Sequence, residues 1–220
     1  MAQPLVIDLY ADPVCPWCWL GKRRLEAALA ARPDVTATLR VRPFLLDPSV
    51  PPEGFDRAEY LDAKFEDPER LRAVHDQLAA FGRDEGIAFL FPEIERYPST
   101  VDAHRALLWA EDEGPLAQSA LLERLFEAYF TEGDDISDPA VIGRAAEEAG
   151  LDADTILERL ETDDDVDTIR DAAERARAIG VTGVPCFIFQ EKLVVMGAHP
   201  PEVLVEAIDR ALGDEDDVEE

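Results

Sequence analysis

Strand-like sequence occurs only near the two ends of this chain, and that separation constrains the fold more than any other feature. Residues 4–10 form an apolar run without clean alternation, as expected for a strand buried on both faces. In residues 35–46, Val35, Ala37, Leu39 and Val41 alternate with Thr36, Thr38, Arg40 and Arg42, which predicts a strand with one face partly exposed. Strand character returns only at residues 184–189 and 192–196, joined by a tight turn through Gln190 and Glu191. Between them, from about residue 57 to 179, the pattern is mainly helical. Leu71, Val74, Leu78 and Phe81 follow helical spacing, as do Leu121, Leu122, Leu125, Phe126 and Tyr129. Backbone N–H and C=O groups need partners when buried, so the strands from the two ends are expected to meet.

Residues 15–31 read as a helix with Leu20, Leu25, Ala28 and Leu29 on its core side, and residues 201–212 as a closing helix. Asp138-Pro139 predicts a helix start and Gly150 its stop, while Gly180 ends a helix over about 164–179. The order is therefore β-α-β, a helical block, then α-β-β-α. Removing the block leaves a four-stranded sheet with flanking helices: an α/β, thioredoxin-like fold with a large all-helical insertion. The expected boundaries are a discontinuous core of residues 1–47 and 180–213 and an insertion of residues 48–179, whose last helix packs on the core. Residues 214–220 are too charged to pack and are expected to be disordered.

The chain has 220 residues and a formal net charge of -28, from 49 acidic and 21 basic side chains. Lysine occurs only at Lys22, Lys64 and Lys192; every other basic residue is arginine. Phosphate binding requires clustered Lys and Arg, so nucleic acid and anionic membranes are poor partners. No apolar run is long enough for a membrane helix, and strand-like sequence begins by Leu5 with no secretory leader before it. These features predict a cytoplasmic protein, where a cysteine pair is more often catalytic or metal-binding than structural.

Cys15-Pro16-Trp17-Cys18 sits between the first strand and the first helix. Residues i and i+3 share a face in a helix's first turn. Cys15 is then expected at the helix N-terminus, where free N–H groups and the positive dipole end favour a thiolate. That makes Cys15 the exposed nucleophile and Cys18 the more buried resolving thiol. Pro16 suits the first helical position because its missing N–H would be unpaired anyway. Trp17 is a candidate apolar floor for substrate, whereas Trp19 reads as core. The competing chemistry is half of a zinc site, but a structural zinc usually takes four Cys or His ligands. Only Cys186 and three histidines remain, and none forms a second pair.

A second signal is Val184-Pro185 at the start of the late strand. Proline is tolerated there, and X-Pro bonds accept the cis form. A cis bond would turn the Val184 backbone towards the cysteine pair and offer it to an extended substrate.

Three stretches together are similar to the DsbA family of thioredoxin-fold oxidoreductases. They are Asp12-Pro13-Val14-Cys15-Pro16-Trp17-Cys18-Trp19-Leu20-Gly21-Lys22, Pro98-Ser99-Thr100 with Ala103-His104-Arg105, and Gly180-Val181-Thr182-Gly183-Val184-Pro185. The chain most resembles the FrnE-like branch, related to 2-hydroxychromene-2-carboxylate isomerase and kappa-class glutathione transferases, and the resemblance runs from about residue 4 to 212. It implies a redox-active Cys15/Cys18 pair and a cis Val184-Pro185 bond. The isomerase and transferase relatives carry serine where Cys15 stands, so retention of both cysteines favours redox chemistry. Cys186, directly after the proline, is a further departure. It reads as a small core residue, as a third redox thiol, or as a metal ligand with Cys15, Cys18 and His104. His104 itself reads as a helix-surface histidine or as a group facing the cleft that stabilises the Cys15 thiolate. Asp8, in the first strand, is a candidate proton acceptor for Cys18 or a partly exposed strand-end residue. Asp12 is expected to shape the turn before Cys15.

The leading expectation is a thiol–disulfide oxidoreductase acting on protein or low-molecular-weight thiols and disulfides, as a monomer or homodimer. It requires no cofactor, with glutathione as a possible co-substrate. The alternatives are a glutathione-linked isomerase or transferase, and a redox-sensing or chaperone-like binding module.

The acidic residues are dispersed over helices, so the surface repels itself at low salt, whereas at molar salt the Debye length falls to about 3 Å. The chain is accordingly expected to be salt-adapted and halophilic. Unfolding followed across a salt series should show stability rising steeply from millimolar to molar salt; a midpoint indifferent to salt would count against it.

Overall fold

The computed structural model describes residues 2–65 and 67–213. The expected disorder of residues 214–220 lies outside the described residues. Strand β1 (Gln3–Ala11) leads through helix α1 (Pro16–Ala30) to β2 (Val35–Pro43), and β1 and β2 pair in parallel from Gln3↔Val35 to Ala11↔Pro43. From the far end of the chain, β5 (Cys186–Phe189) pairs antiparallel with β1, and β6 (Leu193–Met196) pairs antiparallel with β5. The four-stranded sheet has the order β2-β1-β5-β6. This is the thioredoxin-like arrangement.

β5 begins at Cys186 rather than Val184, because Pro185 has no N–H to give to a ladder. The β5–β6 turn places both Gln190 and Glu191 at positive φ, 50° and 58°. Gln190 stabilises its own turn: its backbone N–H donates to the Val6 carbonyl, and its side-chain amide donates to the Pro4 carbonyl. Along β1, Leu5, Ile7, Leu9 and Ala11 are all buried on one face, while Val6, Asp8 and Tyr10 take the other.

Between the halves of the sheet lies the helical stretch. It contains α2 (Arg57–Lys64), α3 (Pro68–Asp84), α4 (Val101–Asp112), α5 (Pro115–Glu127), α6 (Pro139–Glu148), α7 (Ala153–Leu160) and α8 (Val166–Ala178); α9 (Pro201–Gly213) closes the chain. The abundance of aspartate has a local use here. Asp56, Asp67, Asp138 and Asp152 each accept N–H groups at the starts of α2, α3, α6 and α7. Helical periodicity did not reveal a two-residue ladder, β3 (Phe55–Asp56) with β4 (Arg96–Tyr97), which fastens the base of α2 beside the sheet domain.

Trp19 on α1 joins the two parts. Its ring stacks on Phe126 and Phe130, with centroids 5.9 and 6.1 Å away, and meets Phe89 edge-on. Its indole N–H donates to Glu123 of α5 at 2.7 Å, and the same carboxylate pairs with Lys22 and Arg23. Buried Arg105 of α4 donates to the carbonyls of Arg159, Thr162 and Asp164, satisfying the frayed C-terminal end of α7.

Gly21 sets how closely α1 approaches the late strand. A Cβ there would lie 2.8 Å from Pro185 Cγ and 3.3 Å from Phe187 Cζ. At an open helical position, Gly→Ala stabilises by roughly 1 kcal/mol. Here the sign should invert: Gly21→Ala is expected to destabilise by about 1–3 kcal/mol through overpacking. Chemical denaturation at high salt measures it, and a stabilised variant would disprove the contact.

Candidate active site

Cys15 occupies the N-cap of α1 with extended backbone (φ -95°, ψ 108°), and Pro16 fills the first turn. The Cys15 carbonyl accepts the Cys18 N–H at 3.0 Å, placing the two thiols on one face of that turn. No acidic residue lies in the first turn, so nothing within the helix offsets its positive end at the pair. On the opposite side, the Cys15 thiol lies 3.7 Å from the Val184 carbonyl, as donor to acceptor. The Val184–Pro185 peptide is cis.

Cys18 is fully buried. Burial, and then the adjacent Cys15, push its thiol well above the ordinary range. Cys15 is only 4% exposed, which corrects the expectation of a solvent-exposed nucleophile. The reason is tertiary: α2 and α3 fold over the start of α1, and Cys15 opens into an apolar chamber of about 280 Å³ beneath them. Trp17, Val74, Leu78, Phe91 and Phe130 contribute its walls, and Val184 also borders it.

The buried carboxylate beside the pair is Asp12, not Asp8. Asp8 is gripped by Arg40 through two hydrogen bonds at 2.8 and 2.7 Å and by Arg42 at 2.8 Å. It lies on the sheet face opposite Leu9 and serves to neutralise two strand arginines. Asp12 accepts the Val14 N–H and the Leu46 N–H, and its carbonyl accepts the Cys15 N–H at 2.8 Å. It therefore shapes the turn, as expected from its place in the sequence. Its burial also raises its carboxyl to about 6. Its charge disfavours the Cys18 thiolate.

His104 is neither on a helix surface nor beside Cys15. It is buried, with Nε2 3.3 Å from the Phe44 carbonyl and 3.9 Å from Asp12 Oδ1. Burial lowers its pKa to about 4, so at neutral pH it carries no charge with which to hold a thiolate. Cys186 packs with Phe44, Ala176 and Val181. Its neighbour Phe187 faces Gly21 of α1, so Cys186 points to the other side of the sheet. Cys15, Cys18, Cys186 and His104 are thus not brought together, and among the described residues no group of three metal-binding side chains occurs.

The basic side chains of residues 1–45 are neutralised by carboxylates, several from distant segments. Lys22, Arg23, Arg24, Arg32, Arg40 and Arg42 all have carboxylate partners. Sequence reading missed the chamber's polar wall: Arg57, Tyr60 and Lys64 of α2, and His75 of α3, stacked on Phe91 at 4.3 Å. They belong to no motif, and only the packing of α2 and α3 over α1 brings them to the cysteines.

A model of the DSBA-like thioredoxin domain matches residues 6–209. The chain belongs to this family. Within and around it, the uncharacterized protein YwbO of Bacillus subtilis is 30% identical over 203 residues, covering 92% of this chain and 94% of YwbO. The crystal structure of a probable DsbA oxidoreductase from Streptomyces coelicolor superposes with a TM-score of 0.87 at 31% identity, covering 98% and 93% of the two chains. A 2-hydroxychromene-2-carboxylate isomerase shares the fold at 18% identity, with a TM-score of 0.68 over 98% of this chain and 100% of its own. No helix among the described residues is long and apolar enough to cross a membrane.

Burial also pushes the Cys186 thiol up to about 11. At pH 8, Cys186 is expected to resist alkylation until the chain is unfolded, while mild oxidation yields only the Cys15–Cys18 bridge. Peptide mapping decides it; a Cys15–Cys186 bridge would contradict the placement.

Proposed function

We propose that this member of the DSBA-like family is a thiol–disulfide oxidoreductase in which Cys15 exchanges with substrate and Cys18 resolves. The observation that carries the reading is the cysteine pair on the first turn of α1, with the Cys15 thiol directed at the Val184 carbonyl. The Cys15 thiolate attacks one sulfur of a substrate disulfide, forming a mixed disulfide and expelling the other sulfur as a thiolate. Cys18 then loses its proton and attacks Cys15 Sγ, closing the Cys15–Cys18 bridge and releasing the second substrate thiolate. The substrate gains two electrons and the pair loses two; the reverse sequence oxidises a dithiol. Asp12, buried and ionised above about pH 6, is the proton acceptor for Cys18. No external cofactor enters the exchange, and glutathione is a candidate only as the thiol that recycles the pair. The retained Cys15 supports this chemistry over glutathione-linked isomerisation. We place the protein in the cytoplasm, a reducing compartment where cysteine pairs are more often catalytic than structural.

In this scheme Cys18→Ser stalls as a mixed disulfide on Cys15, visible by mass spectrometry, and Cys15→Ser forms none. Failure of Cys18→Ser to trap any disulfide would overturn the assignment. Resolution by the native chain should quicken as pH rises through about 6, where Asp12 loses its proton, and then level off. In Asp12→Asn it should be about 100-fold slower at neutral pH and keep rising through the alkaline range, because Cys18 must then ionise unaided. A native-like plateau in Asp12→Asn would exclude Asp12 as the acceptor.

A further inference from the structure

We infer that the chamber over Cys15 selects a low-molecular-weight, largely apolar or aromatic disulfide that carries an anionic group, and that Arg57 binds the anion; this rests on the thiol–disulfide reading above. Access is the first argument. Cys15 is 4% exposed and lies beneath α2 and α3, in a chamber of about 280 Å³ that favours a small molecule over a disulfide held on a folded protein surface. The wall chemistry is the second. Trp17, Leu61, Val74, Leu78, Phe91 and Phe130 present apolar and aromatic surface, which suits a ring or hydrocarbon and offers few partners to a peptide backbone.

Charge is the third argument. The chain carries 49 acidic side chains against 21 basic ones, so a basic group here ordinarily finds a carboxylate. Arg57 is half-buried on the chamber wall and has no carboxylate within ion-pair distance among the described residues. It donates to the Phe91 carbonyl at 3.1 Å, a contact that leaves most of its five donors unused. Exposed Lys64 lies at the rim, against the Tyr60 hydroxyl that donates to Asp47 at 3.0 Å, and no described acidic residue lines the chamber. An apolar chamber with one half-buried guanidinium on its wall, inside a strongly acidic protein, is complementary to an apolar anion. The guanidinium supplies a planar fork for a carboxylate or a similar oxyanion.

The test uses the pre-reduced full chain in molar salt, where long-range repulsion is screened but a half-buried contact persists. Dithiobis(nitrobenzoate), an anionic aryl disulfide, is compared with dithiodipyridine, a neutral one, and with oxidised glutathione, an anionic peptide disulfide. Each rate is normalised to that of free dithiothreitol with the same probe. The normalised rates should rank the anionic aryl disulfide first and oxidised glutathione last. Arg57→Gln should lower the ratio of anionic to neutral rate about tenfold, the equivalent of one charge-assisted hydrogen bond. Arg57→Lys should restore most of that ratio, which a merely structural role for Arg57 would not do. An unchanged ratio in Arg57→Gln, no recovery in Arg57→Lys, or oxidised glutathione outpacing the aryl disulfides would overturn the inference. Those results leave the exchange reading intact, because Cys15→Ser tests it separately: reaction with the probes at the native rate in that variant would remove both.

Discussion

The antiparallel pairing of β1 with β5 is the constraint on which the rest depends. It ties Tyr10 to Cys186 across nearly the whole length of the chain, and it places the Val184 carbonyl opposite the first turn of α1. Without it, Cys15-Pro16-Trp17-Cys18 would be a helix start with no facing wall. Closing so long a loop costs entropy, but the cost grows only logarithmically with length. Burial of Leu5, Ile7, Leu9, Phe187 and Phe189 offsets it. The absence of a side chain at Gly21 then lets α1 settle against Pro185.

Around this junction the protein separates two electrostatic tasks. Its dispersed acidic surface is partly consumed locally, in helix caps and in pairing the arginines of β2. Near the cysteines the arrangement is different. Asp12 is buried and held by backbone N–H groups, and its carboxyl is shifted to about 6 by burial. His104 beside it is kept neutral. The chamber in front of Cys15 is apolar with a cationic wall. A single chain thus keeps negative charge outside, a buried carboxyl near the cysteine turn, and a guanidinium on the chamber wall.

Much of this was legible in the sequence. Alternation and apolar runs located the strands, Pro16 and the spacing of Cys15 and Cys18 located the helix start, and Asp138-Pro139 marked a capped helix. These features are local: side-chain spacing and backbone chemistry act over a few residues. Asp8 and Asp12 show where such reading stops. Both lie in or next to β1; Asp8 read as a proton acceptor for Cys18 or a strand-end residue, and Asp12 as a shaper of the turn. Asp8 falls on the sheet face where Arg40 and Arg42 pair with it, while Asp12 is buried in the turn before Cys15. Likewise, β5 alternates sides at Cys186 and Phe187, but only the packing of α1 against Phe187 decides that Cys186 faces away.

The sequence by itself determined the element types, their order, the need for the chain's ends to meet, and the distinct positions of Cys15 and Cys18 on one helical turn. These follow from period, caps and proline, which are properties of neighbouring residues. Only the tertiary structure decided that α2 and α3 cover Cys15, that Asp12 is the buried carboxylate, and that Arg57 and His75 border the same space. Those outcomes depend on contacts between segments far apart in the chain, where the net of packing, desolvation and ion pairing selects one arrangement and no short motif records it.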